Sequence, residues 1–238
     1  MRKLVFEEMQ ACPLDHKINQ MITLIKQHNE FLLLLLDILN RYKSPYKNPD
    51  DTVQRIEELE SLIIISDEMI DIPTNKKDLF KNYLDQLYYL SENELHDARG
   101  DILEEIVYSL SLYVFKSKYR ESKLYFDNDS NYIGETEHNF DSVFDLGSKF
   151  ELMECKVDVS TFLNHRRGYF KRKARRKLKY MREVHNTLKT EGYKNSVYLV
   201  CSNLNVADET RALNENGYEC VKILNREDLY EICTNTQK

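Results

Sequence analysis

Metal-binding and disulfide spacings are missing from this chain of 238 residues. Its five cysteines, Cys12, Cys155, Cys201, Cys220 and Cys233, are scattered without a CxxC pair and are odd in number. They read as buried, reduced thiols of a cytoplasmic protein and exclude a disulfide framework or a zinc site. The six histidines form no HxxxH pair, which leaves oxygen atoms as the ligands of any metal. Long apolar runs are missing as well. The most apolar run, residues 31–36 with Ile38 and Leu39, is interrupted by Asp37 and flanked by Glu30 and Asn40, too short to span a bilayer. Residues 1–15 carry Glu7, Glu8 and Asp15 and lack the apolar core of a signal peptide, so no membrane partner is expected. Proline is confined to positions 13, 45, 49 and 73, where it punctuates an otherwise helical stretch.

An apolar content of 42% with 16 Tyr and 10 Phe points to a globular chain. The net charge of −6 argues against a polyanionic partner, but its distribution reverses that argument. Residues 166–189 hold eleven Lys or Arg against a single acid, Glu183, so this segment carries +10 and the remainder −16. Tyr169, Phe170, Ala174, Leu178, Met181, Val184 and Leu188 keep the spacing of one buried helical stripe, with cations over the rest. A cationic amphipathic helix can serve as a solvated face, a membrane surface or a nucleic-acid contact. Like charges at i,i+4 repel unless a polyanion screens them, and the apolar stripe is needed for packing. Phosphate contact is the reading adopted, with Arg166, Arg167, Lys171, Arg172, Arg175, Arg176 and Lys179 as the candidates.

The stretch just before that helix, residues 140–158, FDSVFDLGSKFELMECKVD, reads as two strands joined by a turn at Gly147, a residue free to take positive φ. A turn of two or four residues sets Asp141 across from Glu154 and Val143 across from Leu152. Opposed side chains lie about 4.5 to 5.5 Å apart at Cβ, and period-two alternation places Lys156 on the same face. Two carboxylates and an ammonium therefore converge, the equipment for holding Mg²⁺ and hydrolysing a phosphodiester. Asp145 is a second candidate, but the same register puts it opposite Phe150, roughly 13 Å along the strand from the Glu154 pair.

The spacing Asp141, twelve residues, Glu154, Cys155, Lys156 resembles the PD-(D/E)XK nuclease superfamily, with Phe140 in place of the proline. The resemblance implies a restriction-endonuclease-like fold and a Mg²⁺-dependent endonuclease, with Mn²⁺ as a substitute. It also implies metal binding by Asp141, Glu154 and the backbone carbonyl of Cys155, and Lys156 beside the attacking water. The run Gly100 to Val107, GDILEEIV, resembles the first core helix of the same family, which carries Glu104 over as a residue beside the metal. Helical spacing alone leaves Glu104 and Glu105 equally readable as solvated positions.

Taken in order, the chain predicts a helix over 15–42, a second from Asp50 or Asp51 to Ile70, a third opened by Thr74, and a fourth opened by the capping box Ser91 to Glu94. Gly100, which costs about 1 kcal/mol in a helix interior, marks a candidate boundary. Strands at 123–126, in the hairpin, at 195–201 and at 219–224 follow, with helices at 207–216 and after Asn225. The expectation is an α/β fold: a helical region over 1–95 and a nuclease-like domain over 96–238 with a mixed sheet flanked by helices. The partner would be nucleic acid, DNA ahead of RNA. The first helices would supply a homodimer contact or a protein dock. The competing expectation is a module that binds nucleic acid on a nuclease core that no longer cuts.

Overall fold

The computed structural model describes residues 2–9, 16–66, 69–109, 115–127, 129, 131–134, 137–164 and 169–235. The chain divides into two compact units. One is residues 13–106; the other joins residues 1–12 to residues 107–238.

The helical unit contains α1 (His16–Gln27), α2 (Glu30–Arg41), α3 (Pro49–Ile65), α4 (Thr74–Tyr88) and most of α5 (Glu92–Ser109). A single helix over 15–42 is not formed. The chain turns at His28 and Asn29, where the Phe31 and Leu32 amides bond to the carbonyls of those two residues. The physical reason is that α2 is apolar around most of its circumference, with Phe31, Leu32, Leu35, Leu36, Ile38 and Leu39 wholly buried. A helix of that kind must be surrounded, and the turn lets α1 fold back beside it. The second helix ends at Ile65, short of Ile70, and its cap is Asn48, whose side chain accepts from the Asp51 amide with Pro49 in the first turn. The Ser91–Glu94 capping box forms as read: the Ser91 amide and hydroxyl both donate to Glu94 Oε2, at 3.0 and 2.6 Å.

The sheet unit is built on six strands in spatial order β1 (Leu4–Glu8), β2 (Ser117–Phe126), β3 (Phe140–Asp145), β4 (Phe150–Cys155), β5 (Asn195–Val200) and β6 (Val221–Leu224). The first four are antiparallel neighbours; β4, β5 and β6 run parallel. The sheet is thus mixed and flanked by helices. Parallel neighbours need crossovers, here α6 (Val159–Leu163) with α7 (Arg172–Thr190) between β4 and β5, and α8 (Ala207–Glu215) between β5 and β6; α9 (Arg226–Asn235) follows. The buried stripe of α7, with Ala174, Leu178, Met181, Val184 and Leu188, shares one core with Val143, Leu152, Val197 and Leu199.

The expected strand at 123–126 is longer, and β1 was not foreseen at all. The division of the chain falls late in α5, after residue 106 rather than at residue 96, and the first residues belong with the sheet. Cys155, Cys201 and Cys233 are buried free thiols and Cys220 is half-buried; Cys12 lies outside the described residues. Among the described residues no helix is long and apolar enough to cross a membrane.

Candidate active site

The β3–β4 hairpin sets the geometry. Leu146 N–H donates to the Lys149 carbonyl at 3.0 Å across a two-residue turn, Gly147–Ser148, and Gly147 takes φ +77° at its first position, where a glycine relieves the strain. Asp145 Oδ1 accepts from the Gly147 amide at 2.7 Å, so this carboxylate closes the turn and sits opposite Phe150. The register runs Ser142 to Met153 and Val143 to Leu152. Continued by one pair, it places Asp141 opposite Glu154, and Asp141 Oδ2 accepts from the Cys155 amide at 2.6 Å.

Alternation carries Leu152 and Glu154 to the α7 side. There Glu154 is 3% exposed and meets two ammonium groups: Lys156 Nζ at 2.7 Å from Oε1 and Lys177 Nζ at 2.5 Å from Oε2. Lys156 Nζ also donates to the Cys155 carbonyl at 2.6 Å and stands 3.9 Å from Asp141 Oδ2. Lys177 Nζ donates further to the Asn139 carbonyl at 2.5 Å. Two carboxylates and two ammoniums thus form a compact, formally neutral group.

Its electrostatics are uneven. Burial, reinforced by the Glu154 charge, raises the Asp141 carboxyl to about 6 against the pull of Lys156 and Lys177. Burial also works against ionised Glu154, but there the attraction of the two lysines prevails and the carboxyl stays below its ordinary value. Lys156 is driven the other way: burial disfavours its charge, yet Glu154 and Asp141 overcome that and hold it protonated. Burial, aided by Glu154, likewise raises the Tyr180 hydroxyl.

A divalent ion is tested against the donor set. Among the described residues no three His, Cys, Asp or Glu side chains converge as a metal-binding group. Three oxygens nevertheless surround one cationic nitrogen: Glu154 Oε1, the Cys155 carbonyl and Asp141 Oδ2, at the distances given for Lys156 Nζ. The ammonium stands where a small hard cation would find oxygen ligands. Mg²⁺ asks for one or two carboxylates with waters and phosphate oxygens completing its shell, and these residues fit that requirement.

The cationic helix follows directly. Lys171, Arg172, Arg175 and Lys179 are exposed, and Arg176 is half-buried and paired with Glu137 at 2.6 Å. Arg166 and Arg167 lie outside the described residues. His138, between β2 and β3, places its ring 5.5 Å from that of Tyr180. Glu104 is half-buried on α5 in the helical unit, between buried Leu103 and Glu105. Lys177 was missed by sequence reasoning, which counted it only toward the charge of the segment. The signal was present: it falls on the stripe of Ala174, Leu178 and Met181 at i+3, i−1 and i−4. No family model and no curated protein matches this chain.

Proposed function

We propose that this protein is a Mg²⁺-dependent endonuclease of the PD-(D/E)XK type, with a restriction-endonuclease-like core, hydrolysing phosphodiester bonds in DNA. The observation that carries the reading is the convergence of Asp141, Glu154, the Cys155 carbonyl and Lys156 at the end of one β-hairpin. Bound there, Mg²⁺ or Mn²⁺ supplies Lewis acidity at a phosphate oxygen and a more acidic water. Asp141, Glu154 and the Cys155 carbonyl would hold the ion. Lys156 keeps its proton and offers N–H donors to the attacking water and to the charge that builds on the phosphoryl oxygens. Lys171, Arg172, Arg175, Arg176 and Lys179, with Arg166 and Arg167, draw the backbone phosphates toward the hairpin.

The test is a panel of plasmid, linear duplex, single-stranded DNA and RNA, incubated with Mg²⁺ or Mn²⁺. Cleavage of DNA is expected, abolished by chelation and reduced about 10²- to 10³-fold by Glu154→Ala or Lys156→Ala, in the range typical for loss of an electrostatic group at a reacting centre. Undiminished cleavage by both variants sinks the assignment. A second reading, a binding module that no longer cuts, is favoured by the two ammonium groups that already face Glu154, one at each oxygen, without any ion. It predicts steeply salt-dependent DNA binding that Mg²⁺ does not change.

A further inference from the structure

Lys177 is the anomaly of the cationic helix. The solvent side of α7 accommodates its neighbours Lys173, Arg175 and Lys179, all exposed, whereas Lys177 turns inward and is 7% exposed. An ammonium withdrawn from water costs several kcal/mol unless it is matched closely, so an inward lysine needs a partner that justifies the position. Its partners are two, and both belong to the hairpin: Glu154 Oε2 at 2.5 Å and the carbonyl of Asn139, the residue before β3, also at 2.5 Å. The ring of Tyr180, one turn along, has its centroid 5.8 Å away.

The two lysines on Glu154 are not equivalent. Lys156 keeps 27% of its side chain exposed, Lys177 only 9%. Lys156 Nζ occupies the space among Glu154 Oε1, Asp141 and the Cys155 carbonyl; Lys177 stands at the opposite oxygen, bound to a main-chain carbonyl. A cation entering among the first three oxygens therefore has to displace Lys156 and not Lys177. We propose that Lys177 is a positioning residue of this centre, which holds Glu154 Oε2 to the Asn139 carbonyl so that Glu154 presents only Oε1 to a divalent cation. The inference rests on reading the hairpin as a divalent-cation site.

Two consequences separate this role from support of the fold. With Lys177 replaced by a neutral side chain, Glu154 can turn both oxygens to the ion and one positive charge leaves the neighbourhood. Binding then tightens while the ion is held in an unproductive geometry, and cleavage falls. A lysine needed only for folding gives the opposite pattern, weaker binding together with lost stability.

The experiment is Mn²⁺ titration of the full chain at pH 7.5 without nucleic acid, followed by the electron paramagnetic resonance of free Mn²⁺, on wild type, Lys177→Met and Lys177→Arg. Lys177→Met is expected to bind Mn²⁺ about tenfold more tightly, a modest part of what one unit charge at short range can exert, and to cleave plasmid at least tenfold more slowly. Lys177→Arg, which keeps the charge and the donors, is expected to bind Mn²⁺ as the wild type does. Lys177→Gln serves in place of the methionine variant if that one fails to fold. Wild type that binds Mn²⁺ with neutral variants that bind it equally or more weakly overturns the role of Lys177 alone. Wild type that binds no Mn²⁺ overturns the metal reading and this inference together.

Discussion

Both units bury cations, and they satisfy them differently. In the helical unit, Arg99 is 5% exposed and gives Nε and Nη2 to the carbonyl of Leu39, the end of α2's buried run. Arg55 gives Nη1 to the Ser44 carbonyl at 2.5 Å, pairs through Nη2 with the Asp51 carboxylate one turn back on its own helix at 3.3 Å, and lies over the rings of Tyr42 and Tyr46, each 5.5 Å from its centroid. These guanidiniums finish the hydrogen bonding of helix ends and of the loop after α2, where carbonyls lack helical partners. In the sheet unit, buried Lys177 and half-buried Lys156 meet the buried Glu154 carboxylate at the end of a hairpin. A buried cation spent chiefly on main-chain oxygen, with at most a carboxylate of its own helix beside it, is architecture. Buried cations set against carboxylates at a strand end concentrate field where a substrate can arrive, and such groups mark functional centres more often.

The contrast can be broken most forcefully at Glu154. Glu154→Leu leaves Lys177 buried without its carboxylate and is expected to cost about 3 to 5 kcal/mol of stability, measured by urea unfolding. Adding Lys177→Met should recover most of that loss, because an apolar pair of similar size fills the space without desolvated charge. A double variant as unstable as the single one would show that the loss comes from packing and not from the orphaned ammonium.

The next test uses acidity. Asp141 titrates near 6 in the folded chain and near its ordinary 3.8 when unfolded, so the native state binds this proton more tightly. Stability without metal therefore rises as pH falls through 6 toward 4, by up to about 3 kcal/mol at 1.36 kcal/mol per unit. Glu154 has the opposite sign: its contribution is present above about 4.5 and is lost only as pH falls below that value, beneath the range from pH 7.5 to 5. Thermal melts from pH 7.5 to 5 should show a rising midpoint, and Asp141→Asn should be flatter and more stable at pH 7.5. A wild-type midpoint that falls over that range would contradict the electrostatics described here.

The smallest effect lies on the architectural side. Arg99→Met removes the donors that serve the Leu39 carbonyl and is expected to cost about 1 to 3 kcal/mol, with DNA cleavage per folded molecule unchanged. A cleavage defect beyond the lost stability would blur the division between the two kinds of buried cation.

The hairpin was legible because its determinants are local. Gly147 fixes the turn, and period-two alternation fixes which side chains share a face, so the pairing of Val143 with Leu152 follows from a few adjacent residues. The restart of helix at Glu30 was not legible, because no glycine or proline marks His28 and Asn29 and the turn answers to burial of α2 on all sides. Strand β1 was hidden for a related reason: Leu4 to Glu8 pair with residues 122–126, a partnership no short window contains. Lys177 lay in plain view on the apolar stripe, but in a run of cations its inward placement was masked by its neighbours' chemistry.

Strand β1 has a consequence for handling the molecule. Because residues 1–12 and 107–238 make one unit, the five-helix region is an insertion between a sheet's outermost strand and the rest of it. A fragment trimmed to begin near residue 96 would discard that strand and lay bare the hydrogen-bonding groups along β2, inviting association with another chain. A smaller version of the sheet unit is better made by splicing across the insertion, which keeps the first strand in place.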